Sequence, residues 1–381
     1  MVGGRKHLVL KFPIVLGLLL FVVVLFFGCS RHGVALTKSM LFVPQIFDIG
    51  VKPLEWFTPQ PLREQVFVSH GDWTLEADIY RPASDGAFPA VLLFLGVAPA
   101  TPDDPRIVAL GEALARSGMV VSFYWSPEMI EGNLDINDVA GLVRLFGFLQ
   151  ERDYVIQGQV GIGGFCVGAS FVLIAATDEE IRNEVAFVNL FGPYFDLGDV
   201  IVSAVSEQSS YEGEVRSWIP DDLTQSTLQD HLVSGLVLRE RIAIQEALSL
   251  GGFADITELG LSKEGLAVYE LLSGTSRDEA KKLLQLIPTQ TTRSMVQISP
   301  RTYIRYLEAP VLVMHDRDDR LIPVEESRRL VDQVMQFGDV KYTEYTSIFS
   351  HVSPRESLRV QYITDMLRFI SHMHSIMMQT T

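Results

Sequence analysis

Val160-Gly161-Ile162-Gly163-Gly164-Phe165-Cys166-Val167-Gly168-Ala169 is the stretch that decides how this chain folds. An apolar run enters Gly-x-Cys-x-Gly and leaves into helix-forming residues, which predicts a strand, a very sharp turn and a helix. A turn that tight forces its central residue into strained backbone angles, and side chains flanking it would collide with neighbouring strands. The following helix would offer Cys166 free backbone N–H groups and a positive dipole end, both of which favour a thiolate. Cys166 is therefore the candidate nucleophile, and the Val167 N–H a candidate donor to an oxyanion. A small buried thiol is what a free cysteine usually is; two partners further along the chain weigh against that here.

Working outward, Gln65–His70 and Trp73–Tyr80 read as a hairpin around His70-Gly71-Asp72. Val91–Leu95, Met119–Tyr124, Val160–Gly163 and Val185–Phe191 read as strands. Ile107–Ser117, Asp135–Glu151 and Val167–Ala176 read as helices between them. Such alternation predicts an α/β fold, a mostly parallel doubly wound sheet with helices on both faces. Between Tyr194 and about Pro300 no strand pattern is seen. Asp221–Leu248 carries Leu228, Leu232 and Leu236 at helical spacing, and Ser276-x-x-Glu279 is a capping-box pattern. The alternation resumes with Val311–His315, Val324–Gln336, Val340–Tyr345 and Arg355–Met373. One core, 63–193 with 301–376, is thus expected to carry a helical cap insertion over 194–300, too long for a simple connection.

The first partner is an acid. Val311-Leu312-Val313-Met314-His315 runs into Asp316-Arg317-Asp318-Asp319-Arg320-Leu321-Ile322-Pro323, a short strand ending in an acidic turn. A carboxylate just past such a strand can orient an imidazole through its Nδ1–H. Asp316, Asp318 and Asp319 compete; the D-x-x-I-P spacing selects Asp319, and a solvated loop is the plainer reading of the other two. The second partner is a base. His351 stands in the loop Ser347–Pro354 between the last strand and the last helix, which completes the order Cys…Asp…His.

Gly164-Phe165-Cys166-Val167-Gly168, followed by Asp319 and His351, resembles the dienelactone hydrolase branch of the α/β-hydrolase superfamily. That resemblance covers Glu64–Met373 without the insertion, and implies a Cys-His-Asp triad on the α/β-hydrolase fold. It also places Gly96 and Val97, in the loop after the third strand, at the second oxyanion donor. The chain departs from the family there: Phe94-Leu95-Gly96-Val97-Ala98 lacks the glutamate that contacts the resting cysteine. Family members are also smaller, without cap or anchor, so their substrate is not carried over. The same pentapeptide resembles the box of polyhydroxyalkanoate synthases, which implies acyl transfer. Against this, Ala169 replaces a further glycine and Ser350-His351 their Gly-His. A third reading is an inactive, membrane-tethered binding module.

The N-terminus has its own signal. Leu8–Gly28 is apolar except for Lys11, close to the ~20 residues of a bilayer span. Residues 1–29 are expected to form a retained single-pass anchor; a cleaved signal or a lipidated Cys29 is the alternative. Arg5, Lys6 and Lys11 against Arg31 and Lys38 place the bulk outside the cytoplasm. Residues 30–62, broken by Pro44, Pro53, Pro59 and Pro61, are expected to be a linker. A net charge of -16 argues against nucleic acid, whose phosphates need clustered Lys and Arg. Two cysteines, Cys29 and Cys166, without CxxC or a Cys/His cluster, give no zinc signature, and neither metal nor cofactor is expected. The expectation is a hydrolase of an ester, lactone or thioester. Its partners are an apolar small-molecule acyl substrate and, through the N-terminal helix, a membrane.

Overall fold

A computed structural model of the protein describes residues 28, 30–47, 51–97, 101–249, 260–346, 348–350, 353–354 and 360–381. Strands β1 (Leu62–His70) and β2 (Trp73–Arg81) pair antiparallel, His70 facing Trp73 across Gly71-Asp72. Gly71, at φ 59, supplies the left-handed residue of the turn. The sheet continues with β3 (Phe88–Phe94), β4 (Val120–Trp125), β5 (Val155–Phe165), β6 (Val185–Phe191), β9 (Val311–Asp316) and β10 (Val340–Tyr345). Its order is β1-β2-β4-β3-β5-β6-β9-β10. From β4 onward every pair is parallel, while β2 runs against both of its neighbours. This strand order, with the second strand reversed, is that of the α/β-hydrolase fold.

Both faces of the sheet are covered, and the side-chain period of two decides which residue serves which face. In β3, Ala90, Leu92 and Phe94 join one core, while Val91 and Leu93 join the other. The first core takes in α5 (Asn137–Gln150), α6 (Val167–Ala175) and α13 (Val324–Val334), through residues such as Leu142, Phe171 and Leu330. The second takes in α1 (Arg31–Ile46), α3 (Pro105–Arg116) and α14 (Val360–Gln379), through Phe42, Leu114 and Phe369. Short helices α2 (Leu54–Phe57) and α4 (Pro127–Glu131) fill connections.

Helix α1 corrects the expected linker. Ser30 caps it, accepting from the Gly33 N–H at 2.9 Å, and Ala35, Ser39, Phe42 and Val43 face inward at helical spacing. Ser39 hides that stripe from a reading by hydrophobicity; its hydroxyl is satisfied by donating to the Ala35 carbonyl at 2.7 Å. Pro44 falls in the last turn, where little helix remains for it to break.

Between β6 and β9 lie α7 (Leu197–Ser206), β7 (Gln208–Tyr211), β8 (Glu214–Ser217), α8 (Asp222–Val233), α9 (Leu238–Ser249), α10 (Lys263–Leu272), α11 (Arg277–Leu283) and α12 (Thr289–Gln297). The β7–β8 hairpin was not expected. It turns at Glu212-Gly213, both at positive φ, a weaker signal than Asn-Gly. The helix expected over Asp221–Leu248 is two helices, parted at Ser234–Val237, where Gly235 weakens it. Ser276 does cap α11, its hydroxyl accepting from the Glu279 N–H at 3.4 Å. Among the described residues no helix is long and apolar enough to cross a membrane. The expected anchor lies outside them, apart from Gly28.

Candidate functional site

Cys166 sits between β5 and α6 with φ 55 and ψ -133, angles that L-residues rarely adopt and that cost on the order of 1–3 kcal/mol. Its surroundings hold it there. The Cys166 N–H donates to the Phe191 carbonyl at 2.7 Å, and the Cys166 carbonyl accepts from the Ala169 N–H at 3.0 Å. The turn leaves no room for side chains around it. A Cβ on Gly164 would lie 2.6 Å from the Gly168 carbonyl oxygen, and one on Gly168 2.6 Å from the Phe94 carbonyl oxygen. The glycines of the sequence motif thus answer to specific close contacts.

Gly96 meets the elbow from the neighbouring strand. A Cβ there would be 2.8 Å from the Cys166 Cβ and 3.1 Å from the Val167 nitrogen. Val97 and Val167 line the same cavity as Cys166. The Val167 amide belongs to the first turn of α6, where N–H groups have no acceptor within the helix. Gly96, Val97, Cys166 and Val167 are therefore brought together at the carboxyl edge of the sheet.

Asp319 is buried in the turn after β9, two strands along from β5, or ~10 Å at the usual strand spacing. Its Oδ1 accepts from the N–H groups of Leu321 (2.7 Å) and Ile322 (3.2 Å), and both residues line the Cys166 cavity. Its Oδ2 lies 3.4 Å from Nε2 of the fully buried His315. The other two carboxylates part company: Asp318 is exposed, whereas Asp316 is buried. Burial pushes the Asp316 carboxyl up to about 6, against the bond it accepts from the Asp318 N–H. A solvated loop, expected for both, holds for Asp318 alone. His351 lies outside the described residues.

The cavity over Cys166 measures about 40 Å³. Tyr194 and Leu197 wall it from the start of the insertion, and Leu223, Thr224, Thr227 and Leu228 of α8 roof it. Tyr194 was not singled out from sequence, although it lies three residues past the end of β6; its hydroxyl donates to the Ile298 carbonyl at 2.6 Å. Trp218 was missed too: it follows the unexpected hairpin and bonds the Asp319 carbonyl. Among the described residues no group of three His, Cys, Asp or Glu side chains could hold a metal ion.

No family model matches the chain. Its structure is similar to that of Pyrococcus horikoshii acylaminoacyl peptidase, at 12% identity and a TM-score of 0.47, over 83% of this chain and 41% of that one. The chain thus spans about two-fifths of that protein's length. It is also similar to an esterase of the fungus Rhizomucor miehei (14% identity, TM-score 0.47, 84% of this chain and 85% of that one). A third likeness is to EstE1, a thermostable carboxylesterase cloned from a metagenomic library (11% identity, TM-score 0.47, 93% and 99%). At these identities the likeness concerns the fold alone.

Proposed function

We propose that the protein is a hydrolase that cleaves a carboxylic ester, lactone or thioester through an acyl-cysteine intermediate on Cys166. The observation that carries this is the strained Cys166 backbone, held at the junction of β5 and α6 beneath an apolar cavity. Strain of that kind persists only where the surrounding structure fixes it, and such residues cluster at sites of chemistry. In this reading His351 takes the thiol proton and Sγ attacks the acyl carbon. The carbonyl oxygen, now an anion, accepts from the Val167 and Val97 amides, each donor worth about 3 kcal/mol in comparable sites. His351 passes its proton to the leaving group, then activates the water that releases the acid. Asp319 holds the imidazole in the tautomer that this needs. Leu95-Gly96-Val97 carries no carboxylate, unlike the dienelactone hydrolases it resembles, so in this reading His351 holds the resting thiol. Residues 8–28 would tether the domain to a membrane on the extracytoplasmic side; release of the full chain by alkaline carbonate would argue against that.

The test is a panel of p-nitrophenyl esters and acyl thioesters with wild type and Cys166→Ala. Wild type should turn over at least one class and accumulate an acyl adduct on the Cys166 peptide, while Cys166→Ala does neither. Full hydrolysis by Cys166→Ala would falsify the reading.

A further inference from the structure

The cap does more than cover the cysteine, for one of its segments bonds the acid loop carbonyl by carbonyl. Arg216 Nη1 donates to the Arg317 carbonyl at 3.1 Å, and Trp218 Nε1 to that of Asp319 at 2.6 Å. The Asp221 N–H donates to the Arg320 carbonyl at 2.8 Å, and Thr224 Oγ1 to that of Leu321 at 2.9 Å. In return Arg320 Nε donates to the Ile219 carbonyl at 3.2 Å. Trp218 is 5% exposed, so its N–H must find a partner inside the protein. The partner is the backbone of the residue whose carboxylate is the candidate acid. Since Asp319 Oδ1 is held by the Leu321 and Ile322 amides, the carboxylate points wherever this loop runs.

The segment then continues into α8, which roofs Cys166. A cavity of about 40 Å³ holds one or two waters, whereas a small-molecule site takes several hundred. An acyl group needs more room than that beside Sγ, and α8, which roofs the cavity, is tied to the acid loop through Asp221 at its N-cap and Thr224 in its first turn. We propose that Trp218 and Thr224 are positioning residues for Asp319, so that closing the cap and setting the catalytic acid are one event. This rests on the reading of Cys166 as nucleophile and Asp319 as acid.

The experiment uses the full chain as wild type, Asp319→Asn, Trp218→Phe, Thr224→Val and the double variant Trp218→Phe/Asp319→Asn. Two experiments are run: steady-state kinetics on p-nitrophenyl acetate, giving kcat and KM, and the pH profile of iodoacetamide labelling at the Cys166 peptide. Trp218→Phe keeps the ring and loses only the donor; Thr224→Val repeats the test without touching the indole. Each should lower kcat about tenfold at nearly constant KM, and move the labelling profile in the direction that Asp319→Asn moves it. The double variant should be no slower than Asp319→Asn alone, because a misplaced acid that is already absent costs nothing further. Additive losses, or labelling profiles that superimpose on wild type for both cap variants, would overturn the coupling and leave the nucleophile standing. An Asp319→Asn profile identical to wild type would instead remove the acid, and the proposal with it.

Discussion

Gly168 tolerates no side chain, because a Cβ there would press on the Phe94 carbonyl oxygen at 2.6 Å and on Leu95 backbone atoms at 2.7 Å. Backbone cannot swing aside as a flexible side chain would. Gly168→Ala should therefore destabilise the fold by about 1–3 kcal/mol, and draw β3 away from the elbow. Denaturant unfolding checks it, and a midpoint equal to wild type would show that the strand ends yield easily. Asp316 offers a different single-residue test. Its carboxyl stands at about 6 in the fold against an ordinary 3.8, so the folded state favours the protonated form. Below pH 4 both folded and unfolded chains hold that proton and burial costs nothing. As pH rises through 6 the burial of the charge opposes folding by about 3 kcal/mol, taking about 1.4 kcal/mol per pH unit between the two values. Asn can still accept from the Asp318 N–H. Asp316→Asn should accordingly melt above wild type at pH 8 and together with it near pH 3; a gain that does not depend on pH would assign the effect to packing.

At the scale of elements, α8 roofs the cavity over Cys166. Leu228, 6% exposed, comes down over the cysteine from α8, and Leu228→Ala would open space that one or two methylenes could fill. The ratio of kcat/KM for p-nitrophenyl octanoate to that for the acetate should rise in the variant, by at most ~0.8 kcal/mol per methylene buried. An unchanged ratio would mean that long acyl groups leave the cavity on another side. How far these elements were legible in sequence follows from how local their signals are. β6 and β10 match their expected bounds because both are short apolar or alternating runs closed by turn residues. The β7–β8 hairpin escaped, having four residues a side and a wholly exposed β8, Glu214–Ser217, with no apolar alternation to find. Cys166, Val167 and Gly96 could be located because the glycines that create their geometry are written beside them. Trp218 could not: its bond to Asp319 joins residues 101 apart in sequence, and nothing near either one announces the other.

Across the whole molecule, α1 packs as part of the folded core. Ala35, Phe42 and Phe47 are all but fully buried, Phe47 meets the ring of Phe369 on α14 at 5.8 Å, and Arg31 donates to the Met378 carbonyl at 2.6 Å. The helix thus covers the second core together with α3 and α14, and it clasps the far end of the chain. A fully buried Phe or Val contributes about 1.5–3 kcal/mol, so losing the three largest, Phe42, Val43 and Phe47, removes several kcal/mol. A typical domain has only about 5–15 kcal/mol in total. It also bares the apolar face of α14 to water. A chain beginning at Ser30 keeps the helix cap and should stay free of aggregates by light scattering, with a single cooperative melt. A chain beginning at Pro53 should aggregate, or bind a hydrophobic dye and melt well below the longer one. If both melt within a degree or two of each other, α1 is an ornament on the second core and the domain starts at β1 after all.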